Sequence, residues 1–286
     1  MRILSAQFLS DLKTGHLLPL LERVKYDFDL DLNIRDGYLN IYYKGHSLLN
    51  LNSIYEVRIA NEFRKTLNLP QKLSSATEVD SYLQLLPFIK ENIIFYKSHT
   101  KSSFEIEYEQ LLIRSNNIHL SVNTDVFITD RQYTDPNAES RFDLTGVLWP
   151  AKNRRSSAPL PLVFVEVKYS LNTDIQEIDK QIGKYYAAVS NKIQHIADET
   201  EDILKTKIDL GLLNQDSARL LALKGKSVSN NIDEAIFIVA LIDYNPNSTL
   251  WNTAISKLQQ LPFRNQIKIF NCGFGIWDNH QRLISI

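Results

Sequence analysis

A mixed α/β chain in two parts is what this sequence predicts, on three observations. Two runs of alternating apolar and polar residues flank Asp36-Gly37, the pattern of a β-hairpin. From Lys101 onward one helical stripe gives way to several strand-like runs. The 286 residues, 44% apolar and 23% charged, suffice for a buried core and exclude disordered, collagenous and disulfide-rich classes.

In the first part, Leu4 to Lys13 and His16 to Lys25 read as short helices, Pro19 suiting the first turn of the second. Phe28, Leu30, Leu32 and Ile34 then alternate with Asp29, Asp31 and Asn33, and Leu39, Ile41 and Tyr43 alternate again after the Asp-Gly turn. Ser53-x-x-Glu56 reads as a capping box ahead of Val57, Ala60, Phe63 and Leu67 at helical spacing, and Thr77 to Tyr96 as a helix bent near Pro87. The change of pattern near Ser98 sets the expected division: a module over 1–98 and a second domain over 99–286.

The second part opens with Ser102-x-x-Glu105, a cap for a helix striped by Phe104, Tyr108, Leu111 and Leu112. Strands are expected at Ile118–Ile128, Arg141–Trp149 and Leu162–Tyr169. Thr173-x-x-Gln176 caps a helix that carries Gln181 and Tyr185 towards Lys192. Helical spacing returns over Asp209–Leu223, followed by a buried strand Ala235–Ile242, a helix near Leu250–Gln260 and a last strand Ile267–Trp277.

Several function classes drop out. The longest apolar run, Ala235–Ile242, is far short of the roughly 20 residues that cross a bilayer, and Met1–Asp11 lacks the parts of a signal peptide, so a cytoplasmic address and no membrane partner are expected. One cysteine, Cys272, forms no internal disulfide. The six histidines show no zinc-ligand spacing. Gly225-Lys226-Ser227 lacks the first glycine of a P-loop, since Leu220 stands in its place. A net charge of -1 leaves any anionic ligand to a local patch. Lys152, Arg154 and Arg155 form the densest basic cluster, in a loop expected to be an exposed turn; Tyr38, Tyr42, Tyr43 and Lys44 have the composition of a base-stacking surface and equally of strand packing.

Chemistry concentrates around Glu166-Val167-Lys168, at the end of an apolar strand. Alternation puts Glu166 and Lys168 on one face. Antiparallel pairing of residues 141–149 with 162–169 sets Asp143 across from Glu166 or Lys168. Two carboxylates and an ammonium at one end of a buried hairpin are costly unless paired, solvated or holding a cation. Gln181, Lys184, Tyr185 and Ala188 share a face of the following helix, and Glu105 and Glu109 are an i, i+4 pair on the preceding one. Such oxygen ligands suit Mg²⁺ or Mn²⁺, which keep waters and bind substrate phosphate.

This order of helix Glu, strand Asp, Glu-x-Lys and helix Gln-x-x-x-Tyr resembles the PD-(D/E)xK nuclease superfamily over about residues 101–245. Phe104-Glu105 with Leu111-Leu112 looks like the opening helix of its methyl-directed restriction enzymes, and Gln181-Ile-Gly-Lys-Tyr185 is similar to the fourth motif of its exonuclease-like branch. The proline before the aspartate is missing, the local sequence being Arg141-Phe142-Asp143. The resemblance implies a restriction-endonuclease-like core, a central mixed sheet flanked by helices. It also implies a catalytic set of Asp143, Glu166, Lys168, Gln181 and Glu105. Asp143, Glu166 and the Val167 carbonyl would hold Mg²⁺ or Mn²⁺, with Glu105, or Glu109 as second choice, completing the shell. Lys168 would orient water or neutralise charge on the phosphate, and Tyr185 and Lys184 would contact substrate.

The expectation is a metal-dependent nuclease acting on nucleic acid, DNA ahead of RNA, in restriction, phage defence or DNA processing, with a homodimer as one way of cutting both strands. The alternative is a non-catalytic adaptor of the same fold that binds a protein partner through residues 1–98. The complete acid, acid and lysine set favours the enzyme.

Overall fold

The computed structural model describes residues 2–65, 67–99, 104–119, 124–134, 141–170, 173–213, 217–245 and 247–275. The first part begins with α1 (Ala6–Lys13), whose Ser5 side chain accepts the Phe8 N–H at 3.2 Å, and α2 (Leu18–Tyr26), with its proline in the first turn. Then comes a four-stranded antiparallel sheet, β1 (Leu30–Ile34), β2 (Tyr38–Tyr43), β3 (His46–Asn52) and β4 (Val57–Arg58). The expected hairpin is present, with Ile34 opposite Leu39 and Gly37 at φ +71° in the turn. A short helix α3 (Asn61–Arg64) and the long α4 (Ala76–His99), continuous through Pro87, complete this part. Its core gathers Phe8, Leu21, Leu39, Leu49, Tyr82 and Ile89.

The helix expected after Ser53 is replaced by the turn into β4. Asn52 organises that turn: its Oδ1 accepts the Glu56 N–H at 2.9 Å while its amide donates to the Glu56 carboxylate at 2.9 Å. An Asx turn has taken the groups a helix cap would have used.

The second part starts with α5 (Glu105–Arg114), extended by one π turn over Ser115–His119. Five strands follow in sheet order: β5 (Val126–Thr134), β6 (Arg141–Leu148), β7 (Leu162–Tyr169), β8 (Ile236–Ile242) and β9 (Ile267–Cys272). The first three pair antiparallel and the last three parallel, a mixed sheet. Between β7 and β8 lie α6 (Ile178–Ser190), α7 (Ile193–Asp209) and α8 (Ser217–Lys224), and α9 (Thr249–Leu258) joins β8 to β9. Helices α6, α7 and α9 bury one side of the sheet around Phe164, Phe237, Ile182, Ala197 and Trp251. Residues of α5 pack on the other side around Leu144, Val165 and Ala240.

Three expected boundaries move. The strand expected over Ile118–Ile128 begins only at Val126, because Asn117 keeps the preceding turn helical and acts as a strand neighbour itself: it exchanges hydrogen bonds of 2.9 and 2.7 Å with the Ile128 backbone. The helix expected over Asp209–Leu223 is the end of α7 plus α8, divided by Gly211 at φ +69°. The last strand stops at Cys272, and Trp277 lies outside the described residues.

The polar face of the hairpin is buried. Asp31, Asn33 and Arg35 are covered, and Arg35 pairs with Asp130 of β5 and donates to the Arg131 carbonyl at 2.8 Å. A bulge between Ile128 and Asp130 interrupts the β5 register there. Arg131, fully buried, donates to Glu109 at 2.8 Å and lies over the Tyr42 ring at 4.4 Å. Tyr42 and Tyr43 are buried and Lys44 pairs with Glu107 at 2.9 Å, so they join the two parts and offer no stacking surface. At the far loop, Arg154 donates to the Thr124 carbonyl at 3.1 Å and packs on Trp149.

Removing one partner of a buried pair strands the other charge, a loss of about 3–5 kcal/mol. Glu109→Leu is expected to lower unfolding free energy by about that amount in urea titration, whereas removing Glu177 from the exposed Lys180–Glu177 pair is expected to leave the transition where it is.

Candidate active site

The β6–β7 ladder runs from Val147–Leu162 to Leu144–Val165 and stops. One residue further, the Asp143 carboxylate takes the Val167 N–H at 2.8 Å, a side chain accepting where a backbone carbonyl would continue the ladder. This opens the sheet at the C-terminal end of β7 and places a carboxylate in the opening. Continuation of the register sets Asp143 opposite Glu166, as the hairpin arithmetic expects.

Glu166 is 3% exposed and held by three donors. Its Oε1 accepts from the Lys168 ammonium at 2.6 Å and from the Gln181 amide at 2.6 Å; its Oε2 accepts from the Tyr185 hydroxyl at 3.0 Å. Gln181 also donates to Tyr185 at 2.7 Å, and the Tyr185 hydroxyl lies 2.5 Å from the Arg141 carbonyl. One turn of α6 therefore clamps one carboxylate through two side chains at i and i+4. Tyr185 is buried and touches Glu166; Lys184, on the same helix, is exposed and takes no part in this network.

The two glutamates of α5, indistinguishable by spacing, are separated here. Glu105 accepts the Tyr169 N–H at 3.2 Å and raises the pKa of both Asp143 and Lys168 by its charge. Glu109 belongs to Arg131. Arg141, two residues before Asp143, is exposed at the start of β6 and is the neighbouring cation that sequence reasoning passed over. The signal was in plain view, since Arg141 occupies the place next to the missing proline.

Burial, then the facing Glu166, pushes the Asp143 carboxyl up to about 7. Burial raises Glu166 too, against the pull of Lys168, Tyr185 and Gln181. Burial alone would lower Lys168; attraction to Glu166 overrides it and leaves the ammonium above its usual range. Burial and Glu166 likewise raise the Tyr185 hydroxyl, which stays protonated. Two acids thus share one ammonium, and near neutrality the pair retains a proton. Among the described residues no three His, Cys, Asp or Glu side chains converge as a metal cluster. No helix among them is long and apolar enough to cross a membrane.

No protein-family model, curated protein or solved structure compared with the chain matches it. The geometry of this site is therefore the ground on which function is argued.

A carboxyl raised in the folded state binds more protons folded than unfolded, so stability falls as pH rises from about 4, the ordinary carboxylate range, to about 7. Asp143→Asn removes this penalty. The variant is expected to be more stable than wild type by roughly 1–3 kcal/mol at pH 8, with the difference vanishing at pH 4; thermal denaturation across that range measures it.

Proposed function

We propose that this chain is a metal-dependent nuclease that hydrolyses phosphodiester bonds, with DNA as its substrate. The observation that carries this reading is the meeting of Asp143, Glu166 and Lys168 where the β6–β7 ladder opens. Two carboxylates facing each other with one ammonium carry surplus negative charge when ionised, and a hard cation relieves it. Mg²⁺ takes one or two protein carboxylates and completes its shell with water and phosphate oxygens, so the Asp143–Glu166 pair is a sufficient donor set. The Val167 carbonyl is the further donor that the PD-(D/E)xK resemblance implies, and the five-stranded mixed sheet with flanking helices is compatible with a restriction-endonuclease-like core.

Bound there, Mg²⁺ or Mn²⁺ would supply Lewis acidity towards the scissile phosphate and the departing oxygen. The chain's own residues do the rest. Lys168, fixed by Glu166, directs its remaining N–H bonds at the attacking water or at charge developing on phosphorus. Gln181 and Tyr185 are positioning residues that lock the Glu166 rotamer. Glu105, at the rim, draws the water's proton or adds an oxygen donor. Arg141 and Lys184, exposed on either side, meet the flanking phosphates.

Supercoiled, linear and single-stranded DNA and RNA, incubated with Mg²⁺, Mn²⁺ or EDTA, test the reading. Metal-dependent cutting is expected, lost at least 100-fold in Asp143→Ala and Lys168→Ala, in line with single electrostatic catalytic groups. Cutting that survives both substitutions contradicts it.

A further inference from the structure

Three aromatic rings stand in a row on the α5 side of the sheet, opposite the α6 residues that hold Glu166. Tyr169, the residue after Lys168, stacks on Tyr108 with ring centres 5.3 Å apart and planes 22° from parallel, and lies 5.3 Å from the Phe104 ring. The inner end of the row is anchored. The Tyr108 hydroxyl donates to Asp243 at 2.8 Å, and the other Asp243 oxygen accepts the N–H groups of Phe274 and Gly275 at 2.6 and 2.7 Å. The outer end is open: Phe104 is 56% exposed. It precedes Glu105, which holds the Tyr169 N–H and whose charge acts on Asp143 and Lys168, so α5 brings the exposed ring to the same end of β7 as the acid pair. Phe104 also occupies the N-cap of α5, where a side chain that accepts a hydrogen bond is favoured and phenylalanine caps nothing.

The Lys97 ammonium is 6.0 Å from the Phe104 ring centre and pairs with Glu107. Lys168, the residue before Tyr169, is buried against Glu166, and Arg141 is exposed at the start of β6. An exposed flat apolar face at the same strand end as the proposed phosphodiester site is complementary to a base. A base inside a duplex has both faces covered by its neighbours; an unpaired base has a face to give.

We propose that Phe104, backed by Tyr169 and Tyr108, is a stacking platform for an unpaired nucleobase beside the scissile phosphate, so that the substrate of this site is single-stranded DNA or a single-stranded DNA end. This inference rests on the nuclease reading of the acid pair. Stacking of this kind tolerates any base, so the platform selects strandedness over sequence.

The test uses the full chain as wild type, Phe104→Ala and Phe104→Trp, with thermal melting as the check on folding. Single-stranded DNA carrying 2-aminopurine is bound in EDTA, and single-stranded and blunt duplex DNA are cleaved in Mg²⁺. The wild type is expected to quench 2-aminopurine and to prefer single strands. Phe104→Ala is expected to lose the quench and about 5- to 150-fold of single-strand affinity, the span of one base–aromatic stack. Phe104→Trp restores both, and blunt-duplex cleavage is unchanged throughout. Affinity, quench and single-strand cleavage within twofold of wild type in Phe104→Ala overturn the platform while leaving the nuclease intact, as does a wild type that prefers blunt duplex or RNA. A wild type that cuts nothing defeats the nuclease reading and, with it, a platform beside a scissile phosphate, whether or not 2-aminopurine is quenched.

Discussion

Two carboxylates on neighbouring strands, one of them paired with a single ammonium, form the constraint around which the second part of this molecule is arranged. Asp143 ends the β6–β7 ladder by taking a backbone donor that a strand carbonyl would otherwise hold, and Glu166 sits opposite it on the buried strand. Neither position is cheap, since each acid loses hydration and each repels the other. The surroundings limit the cost without removing it. Lys168, Gln181 and Tyr185 all donate to Glu166, whereas Asp143 keeps one backbone donor. This asymmetry fixes one carboxylate through three donors and leaves the other with one.

A second buried polar system ties this sheet to the N-terminal hairpin. Arg35 and Arg2 converge on Asp130, and Arg131 joins Glu109 to the Tyr42 ring. Lys207 of α7 is buried against the same hairpin, and burial lowers its pKa. The pairing also organises the site. Arg131 claims Glu109, so Glu105, one turn earlier on α5, is the carboxylate at the rim; burial, with a smaller push from Asp143, raises the Glu109 pKa to about 7 against the pull of Arg131. The two systems are thus electrically coupled through α5.

Much of this was legible in the residues. The Asp-Gly turn announced the hairpin, and antiparallel pairing of residues 141–149 with 162–169 set Asp143 across from Glu166 or Lys168, of which the register selects Glu166. The i, i+4 spacing of Gln181 and Tyr185 foretold a shared face, and both reach Glu166. What was not legible depends on partners distant in sequence. Asp31, Asn33 and Arg35 alternate as a solvated strand face would, and only the arrival of β5 buries them. Glu105 and Glu109 carry the same signal until Arg131 selects between them, and Arg131 lies beyond the end expected for its strand. Ser53-x-x-Glu56 failed as a cap because Asn52, a stronger local acceptor, reached Glu56 first. Phe104 looked like part of a packing stripe, and its exposure is a tertiary outcome.

In the proposed nuclease, the carboxyl of Asp143, raised to about 7, would give up its proton when a divalent cation binds. Titration calorimetry with Mn²⁺ at pH 7, repeated in buffers of different ionisation enthalpy, counts that proton directly. The account predicts one binding event that releases a substantial fraction of one proton, tightens as pH rises through about 7 and is lost in Asp143→Asn. Binding unaffected by Asp143→Asn, or binding with no proton release at any pH between 6 and about 8, would contradict it.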